Sequence, residues 1–150
     1  FNRFATEMLI KDQLAVNRQE MLCALFLLDL DDFKLVNDTL GHLMGDALLK
    51  EVASTLKSLF RERDVVGRIG GDEFIVFMRE ISDPFDAEIK AEQVLQAISS
   101  IAVPSIGKIC CSIGVALIMP EDNDFNSIYD RADYALYIAK NEGKNKFVVY

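Results

Sequence analysis

The sequence lacks a basic surface, a long hydrophobic run and a regular cysteine pattern, and each absence argues against a class of protein. It has 16 lysines and arginines against 24 aspartates and glutamates, a formal net charge of −8, which argues against a nucleic acid polymer or anionic lipid as partner. Its longest uncharged apolar run covers residues 21–28, far short of the ~20 residues that a membrane helix needs. We expect no membrane contact by this domain, and any nucleotide that it binds must meet a local basic patch.

The three cysteines, Cys23, Cys110 and Cys111, are odd in number, lie in apolar strand-like segments and show no CxxC spacing. This pattern is typical of reduced core thiols in a cytoplasmic domain rather than of a disulfide framework or a metal site. No internal repeat, low-complexity run or linker interrupts the 150 residues, a length at which one hydrophobic core is expected. We therefore predict a single domain over residues 1–150.

Hydrophobic periodicity predicts the element order helix, strand, two helices, hairpin, helix, strand, helix, strand. The first helix is expected to end near Asn17, and the fourth to run from Asp83-Pro84 to Ala102, with Pro104 closing it. The order predicts an α/β (α+β) sandwich, in which a mainly antiparallel central sheet is flanked by helices.

The second, third and last helices carry further signals. Asp31 or Asp32 can cap the second helix, and Gly41 can end it. The third helix has a stripe of apolar residues that we expect in the core, namely Met44, Leu48, Val52, Leu56 and Leu59. The last helix is expected to stop at Gly143 and to bury Ile128, Ala132, Ala135, Leu136 and Ala139. The acids of residues 122–124 are expected in a loop, without the longer ligand set of a calcium-binding EF-hand.

Residues 68–74, Arg-Ile-Gly-Gly-Asp-Glu-Phe, place two glycines and two carboxylates between strand-like apolar segments. A Gly-Gly pair between such segments predicts a hairpin, since glycine accepts the positive φ of primed turns. Asp72 and Glu73 then lie at the turn or at the first step of the returning strand. Taken alone, the motif also fits a solvated hairpin tip that carries two acids, because short motifs match often.

A second acidic cluster, Asp29, Asp31 and Asp32, follows the apolar run 21–28, which is typical of a strand buried on both faces. If the two strands are neighbours in one sheet, Asp29 can face Asp72 or Glu73. Like carboxylates held close raise one another's pKa unless a cation compensates. Mg²⁺ suits such a site, because it takes oxygen ligands from one or two carboxylates, waters and substrate phosphates.

Three motifs together resemble the GGDEF family of bacterial diguanylate cyclases. The hairpin 68–74 carries the family's Gly-Gly-Asp-Glu-Phe signature, residues 29–42 with Gly45-Asp46 resemble a second motif, and residues 132–140 with 143–145 resemble a third. The similarity runs in order from residue 1 to residue 150. It implies a palm-like nucleotidyl cyclase fold and the condensation of two GTP into cyclic di-GMP with release of two pyrophosphates. One domain would hold one GTP, so the reaction would require a homodimer.

The resemblance also implies a metal site and a proton acceptor. Asp29, the carbonyl of Leu30, Asp72 and Glu73 are the expected ligands of Mg²⁺ or Mn²⁺, which would neutralise phosphate charge and lower the pKa of the 3′-hydroxyl. Either Asp72 or Glu73 would take the proton of that hydroxyl, and the residues leave this choice open.

For the nucleotide, the resemblance implies a guanine end and a phosphate end. Asn37 and Asp46 are expected to read the guanine edge, because an amide and a carboxylate together match its O6 acceptor and its N1 and N2 donors. Relatives that make a mixed guanine-adenine dinucleotide tend to carry serine at the position of Asp46. His42 is a further expected substrate contact, and the expected phosphate contacts are Lys34, Lys140 and Lys144. Without the resemblance, all of these would be ordinary surface or helix-end residues.

Two positions bear on regulation and affinity. Arg61 and Asp64, in the pattern Arg-x-x-Asp just before the hairpin, resemble the family's inhibitory product site, where an arginine grips phosphate and guanine. A solvated charged turn is the simpler interpretation of the same residues. Lys144 stands where the family has arginine, and lysine lacks the bidentate grip on a triphosphate.

Two other functions compete with the dimeric cyclase. One is a degenerate GGDEF module that binds GTP or cyclic di-GMP as a receptor without catalysis. The other is a cyclase that acts within one nucleotide, as adenylyl and guanylyl cyclases do on a related fold. Before Asn2-Arg3 the family has an Asp-x-Leu-Thr segment that is not present here. We therefore expect the C-terminal part of a longer protein with an N-terminal sensory or receiver module, either cytoplasmic or a membrane-anchored sensor with this domain in the cytoplasm.

Overall fold

The structure is a computed structural model that describes residues 2–16 and 21–150, without the side chain of Val16. The predicted end of the first helix, Asn17, lies outside the described residues. In chain order the elements are α1 (Arg3–Val16), β1 (Leu22–Asp31), α2 (Phe33–Leu40), α3 (His42–Leu59), β2 (Val65–Arg68), β3 (Glu73–Ile81), α4 (Pro84–Ser99), β4 (Ala102–Val103), β5 (Gly107–Lys108), β6 (Cys110–Ile118), α5 (Phe125–Asn141) and β7 (Phe147–Val149).

The main sheet has the strand order β2-β3-β1-β6-β7. Strands β2, β3, β1 and β6 pair antiparallel, and β7 joins β6 in parallel. One face of the sheet packs against α2, α3 and α4, and the other packs against α1 and α5. The described chain is therefore a mixed sheet flanked by helices, which confirms the predicted α+β architecture. No helix in the described residues is long and apolar enough to cross a bilayer.

Strand β1 is central and buried on both faces, as its apolar run predicts. Phe26 and Leu28 pack toward α3 and α4, whereas Leu25 and Leu27 pack on the other side. Because side chains alternate along a strand, Asp29 falls on the α5 face. The strand does not stop at residue 28, where the apolar run ends. Its pairing with β6 continues to Asp31, since backbone hydrogen bonds to two neighbours do not depend on apolar side chains.

The predicted side-chain cap of α2 is wrong, although Asp32 does occupy the N-cap position. Asp32 stands at the N-cap in a left-handed conformation, with φ 56°, and its side chain makes no capping hydrogen bond. It pairs with Lys144 instead, at 2.8 Å. The predicted end of the helix is confirmed, because Gly41 has φ 84° and donates its N–H to the carbonyl of Asn37 at 2.9 Å.

The stripe of α3 is confirmed at its centre and wrong at one end. Leu48, Val52 and Leu56 are buried, Leu59 is half-buried, and Met44 is 37% exposed. Met44 lies in the first turn of α3, ahead of the buried part of the helix that begins at Leu48.

Helix α4 begins as predicted and ends earlier. Asp83 caps it by accepting a hydrogen bond from the N–H of Phe85 at 2.7 Å, and Pro84 is its first residue. The helix ends at Ser99 rather than at Ala102. Residues 102–103 instead pair with residues 107–108 in a short ribbon, β4–β5, which periodicity did not predict. A two-residue pairing is too short to leave a repeating pattern in the sequence.

Helix α5 lies very close to β6. The five residues predicted to face inward are all buried. A Cβ built at Gly114 of β6 would lie 2.0 Å from the carbonyl oxygen of Ala132 and 2.3 Å from the N of Leu136, so only glycine lets the helix backbone approach. This contact sets the height of α5 above the sheet, and with it the position of Lys140 in the last turn.

Candidate active site

The two acidic motifs lie side by side where strands β1 and β3 approach their shared end of the sheet. Strands β1 and β3 are neighbours, and Asp29 lies directly opposite Glu73 in their register. The backbone N–H of Leu30 donates to the carbonyl of Asp72 at 3.2 Å. The pairing expected between the motifs is therefore present in the backbone. Asp29, Leu30, Asp72 and Glu73 come from segments more than forty positions apart in the printed sequence.

The turn that carries Asp72 differs from the predicted primed turn. Neither Gly70 nor Gly71 has a positive φ. The turn is closed by the N–H of Ile69, which donates to the carbonyl of Glu73 at 2.9 Å, and by Arg68, whose Nε donates to the carbonyls of both glycines at 3.0 and 3.1 Å. A Cβ at Gly70 would lie 2.3 Å from Oε2 of Glu73, so a larger residue there would displace that flexible side chain. Sequence reasoning assigned no role to Arg68, which organises the turn.

Lys140 brings positive charge to the acids. Its Nζ lies 2.9 Å from Oδ2 of Asp29, across the gap between α5 and β1. Burial raises the pKa of Asp29 above its usual range, and the negative charge of Asp72 adds to this, although the contact with Lys140 opposes it. A half-buried carboxylate with a second acid nearby favours a bound cation or a proton. A metal bound at Asp29 would therefore relieve an electrostatic cost.

Lys144 lies in the turn after α5, beside the first residues of α2. Its Nζ is 2.8 Å from Oδ1 of Asp32, and this contact raises the pKa of the lysine. Asp31 holds the same turn, because its Oδ2 accepts from the N–H of Asn145 at 2.9 Å. Sequence reasoning considered Asp31 only as a possible helix cap and missed this contact. The alternation of β1 could have indicated it, since Asp31 shares a face with Asp29.

The predicted guanine contacts gather around the start of α3. Asn37 of α2 is half-buried, His42 is the exposed first residue of α3, and Asp46 is exposed four residues further along that helix. Gly45 explains how Asn37 is placed: a Cβ at Gly45 would lie 1.9 Å from Oδ1 of Asn37. The short helix α2, eight residues and about 12 Å long, connects the end of β1 to this group. Lys34 is exposed on the first turn of α2, between the acids and this group.

Arg61 and Asp64 lie apart from these groups, between α3 and β2. Asp64 accepts hydrogen bonds from the backbone N–H of Arg61 and from the backbone N–H of Arg79, each at 2.9 Å. Both of its carboxylate oxygens are therefore occupied by backbone donors. Arg61 is exposed and borders a surface groove of about 350 Å³ that also contains Lys90 and Gln93. The arginine side chain is available to a ligand, and the aspartate shapes the turn that presents it.

The donors at the strand ends fit a small hard cation. They are carboxylate and carbonyl oxygens, which Mg²⁺ and Mn²⁺ prefer. In residues 2–16 and 21–150, no group of three histidine, cysteine, aspartate or glutamate residues is placed so that it could hold a metal ion by itself. Mg²⁺ rarely uses such a cage, because it keeps waters and takes oxygens from a substrate phosphate. The donor set therefore suits a metal that arrives with a nucleotide.

We expect Gly45→Ala to weaken guanine binding while the domain stays folded. The added methyl group must displace Oδ1 of Asn37, which would lie 1.9 Å away, and the flexible amide can rotate out of its position. A loss of about tenfold in GTP affinity corresponds to one misplaced polar contact. Titration calorimetry with GTP measures the affinity. Ala47→Gly, at an exposed position two residues further along α3, serves as a control. Unchanged affinity in Gly45→Ala would contradict the role of Asn37.

The fold and the site define an α+β domain with acidic strand ends, facing lysines and a separate polar group at the end of a short helix. A family model described as "Diguanylate cyclase, GGDEF domain" matches residues 1–146. The chain therefore belongs to the GGDEF-domain family of diguanylate cyclases.

Two curated relatives illustrate the similarity. The chain is 37% identical over 136 residues to the bifunctional diguanylate cyclase/cyclic di-GMP phosphodiesterase MucR of Pseudomonas aeruginosa, covering 89% of this chain and 20% of MucR. It is 37% identical over 133 residues to the diguanylate cyclase DgcZ of Escherichia coli, covering 87% of this chain and 44% of DgcZ. The chain thus spans less than half the length of these proteins.

Solved structures show the same fold. The GGDEF domain of YfiN (TpbB) from Pseudomonas aeruginosa superposes with a TM-score of 0.91 at 30% identity, covering 99% of this chain and 95% of that chain. The coiled-coil and GGDEF domain of DgcB from Caulobacter crescentus, solved in complex with c-di-GMP, superposes with a TM-score of 0.90 at 28% identity, covering 99% of this chain and 81% of that chain.

Proposed function

We propose that this domain is a diguanylate cyclase that condenses two GTP into cyclic di-GMP and releases two pyrophosphates. The observation that carries the proposal is the pairing at the sheet edge, where Asp29 lies opposite Glu73 and the backbone of Leu30 bonds to Asp72. The family supports the substrate, since relatives such as DgcZ are named diguanylate cyclases. Three polar groups are then expected to bind different parts of the nucleotide complex. The acids would bind the metal, the lysines the phosphates, and Asn37 with Asp46 and His42 the guanine.

In this proposal the acids would hold Mg²⁺ or Mn²⁺ through Asp29, the carbonyl of Leu30, Asp72 and Glu73. When bound, the metal neutralises phosphate charge and lowers the pKa of the attacking 3′-hydroxyl. Lys140 is salt-bridged to Asp29 and would turn toward phosphate once a cation satisfies that acid. Lys34 and Lys144 would steady the remaining phosphate oxygens as point charges.

The reaction joins each 3′-oxygen to the α-phosphorus of the other nucleotide, and the bond from that phosphorus to pyrophosphate breaks. Either Asp72, in the turn, or Glu73, the first residue of β3, would take the hydroxyl proton. Asn37 and Asp46 would hold guanine, with His42 as a further contact. One domain offers one such set of residues, so the two GTP molecules must be brought together by a homodimer.

The dimeric reaction is tested by its dependence on protein concentration. The domain is incubated with GTP and Mg²⁺ over a range of concentrations, and the products are separated by chromatography. We expect cyclic di-GMP to form at a rate that rises more steeply than linearly with protein, and to be lost in Asp72→Ala. A product cyclised within one nucleotide, or unchanged GTP even after forced dimerisation, would contradict the proposal.

We also propose feedback inhibition by product at Arg61, supported by its exposed position on the groove beside Lys90. Arg61→Ala is expected to raise the concentration of cyclic di-GMP that halves the initial rate by about tenfold or more, because a bidentate arginine contact is removed. The control is Lys57→Ala, which removes one exposed positive charge from α3 outside this groove. Equal inhibition of wild type and Arg61→Ala would contradict the site.

A receptor without catalysis is the alternative function. One relative, PdeR of Escherichia coli, is named for a different activity: it is called a cyclic di-GMP phosphodiesterase and is 39% identical over 128 residues that make up 19% of its length. In a receptor, GTP or cyclic di-GMP binds and no product forms.

We further infer that the domain works inside a longer cytoplasmic or membrane-anchored protein with an N-terminal sensory or receiver module. The short span of the match within its relatives supports the longer protein. Buried Cys111 supports the reduced thiols of a cytoplasmic domain.

A further inference from the structure

Asp31 is a buried acid that neither the metal site nor the nucleotide contacts above use. The residue is 9% exposed. Its Oδ1 accepts a hydrogen bond from the hydroxyl of Ser112 at 2.7 Å, and its Oδ2 accepts from the N–H of Asn145 at 2.9 Å. A buried carboxylate is costly unless such bonds compensate it. Its place at the end of β1 therefore requires an explanation beyond packing.

The turn that Asp31 grips has an uncommon backbone. Gly143, Lys144 and Asn145 have φ values of 110°, 61° and 47° in succession. Left-handed conformations are unfavourable for residues other than glycine, and they persist only where the surroundings hold them. Here the N–H of Lys144 donates to the carbonyl of Ala139 at 3.0 Å, and the N–H of Asn145 donates to Asp31. The first bond ties the turn to α5, and the second ties it to β1.

This conformation decides where Lys144 points. With the turn tied to β1, Nζ of Lys144 reaches Oδ1 of Asp32 at 2.8 Å, next to the strand end that carries Asp29. A released turn could rotate the lysine away, because its side chain is 45% exposed and Asp32 is 67% exposed. An exposed ion pair of this kind contributes little by itself. The buried bonds of Asp31 are the firmer anchor.

We infer that Asp31 is a positioning residue for nucleotide binding: it holds the Gly143–Asn145 turn so that Lys144 is presented to the phosphates of GTP. The inference rests on the proposed function, since it assigns GTP to the site. Asp31 itself touches neither the metal nor the nucleotide in this assignment. Its whole contribution to affinity passes through Lys144.

The test is a double-mutant cycle on nucleotide affinity. The probe is 3′-deoxy-GTP with Mg²⁺, which lacks the attacking hydroxyl and cannot be condensed, and binding is measured by titration calorimetry. Asp31→Ala and Lys144→Ala are each expected to weaken binding about tenfold, the effect of losing one charged contact. The double variant is also expected to lose about tenfold rather than about a hundredfold, because both changes remove the same interaction.

Two further variants separate positioning from loss of the fold. Ser112→Ala removes the other hydrogen bond of the same carboxylate and leaves the turn tied, so its affinity is expected to stay within about threefold of wild type. Asp31→Asn keeps one side-chain oxygen that can accept from Asn145 and is expected to restore most of the affinity. Thermal unfolding of each variant shows that the folded protein is being titrated.

The outcomes are distinct. A loss of affinity of about a hundredfold in the double variant, or unchanged affinity in Asp31→Ala, would overturn the positioning role. A loss in Ser112→Ala as large as that in Asp31→Ala would also overturn it, because stability rather than the turn would then govern affinity. If wild-type protein does not bind 3′-deoxy-GTP at all, the proposed function fails instead.

Discussion

Asp29→Asn is expected to abolish cyclic di-GMP synthesis and at the same time to stabilise the metal-free domain. The activity falls because a neutral amide cannot replace a carboxylate ligand, and a metal supplies several kcal/mol of charge stabilisation in such reactions, which corresponds to a loss of about a hundredfold or more. The stability rises because the amide carries no charge to desolvate. The two effects have opposite signs in one variant, and general damage to the fold cannot produce both.

The pH dependence gives the sign of the stability effect. The pKa of Asp29 in the folded domain is raised, mainly by burial, so the folded state binds this proton more tightly than the unfolded state does. The ionised carboxylate therefore destabilises the fold fully above the folded pKa. This cost disappears as the pH falls through the folded pKa toward the ordinary value of about 3.9. The advantage of Asp29→Asn in urea denaturation is expected at pH 7 and should vanish in acid.

Mg²⁺ with 3′-deoxy-GTP supplies a third measurement. Ligands that bind only the folded state raise the melting temperature, so wild-type protein is expected to respond and Asp29→Asn to respond much less. Asp130→Asn, at an exposed position of α5, is the matched control for loss of one negative charge. Normal synthesis by Asp29→Asn would contradict the metal assignment, and equal stability of both proteins at pH 7 would contradict the electrostatic cost.

Gly114→Ala is expected to destabilise the domain by about 3 kcal/mol, at the upper end of overpacking effects. Its Cβ would lie 2.0 Å from the carbonyl oxygen of Ala132 and 2.3 Å from the N of Leu136, and backbone atoms in a packed helix cannot rotate away. Either α5 rises from the sheet or β6 bends. For a domain of this size the melting temperature should fall by roughly 10 °C, as measured by circular dichroism.

Gly71→Ala provides the control for the glycine-to-alanine change itself. A Cβ at Gly71 meets nothing within 4 Å, and its φ is not positive, so the stability change is expected within about 0.5 kcal/mol. A wild-type melting temperature in Gly114→Ala would show that α5 does not lie as close to β6 as described. Equal losses in both variants would assign the effect to glycine removal in general.

Some of the fold could be predicted because its signals are local. The burial of β1 on both faces, the Asp83-Pro84 start of α4 and the end of α2 at Gly41 each depend on residues within a few positions of one another. Strand and helix periods repeat along the chain, and caps and turns use particular residue types. The three motifs also predicted the family, because their order and spacing are properties of the sequence alone.

The wrong predictions concern residues whose local sequence signal is overridden by a tertiary contact. Asp32 is a good capping residue by type, yet its side chain pairs with Lys144, 112 positions away. Gly70 was assigned a positive φ, which it lacks, and a Cβ there would instead meet the flexible side chain of Glu73. Residues 102–103 continue a helical pattern, but pairing with residues 107–108 ends the helix at Ser99.

The sequence by itself determined the element order, the family and the residue types available for chemistry, since these follow from local periodicity and motif spacing. Only the tertiary structure decided which side chains act together. The two hydrogen bonds of Asp31 join it to residues that lie 81 and 114 positions further along the chain. The position of the Asn37 side chain depends on the absence of a Cβ at Gly45, on another helix. Such contacts leave no periodic trace in the sequence, because they arise where chain segments are brought together by burial of the common core.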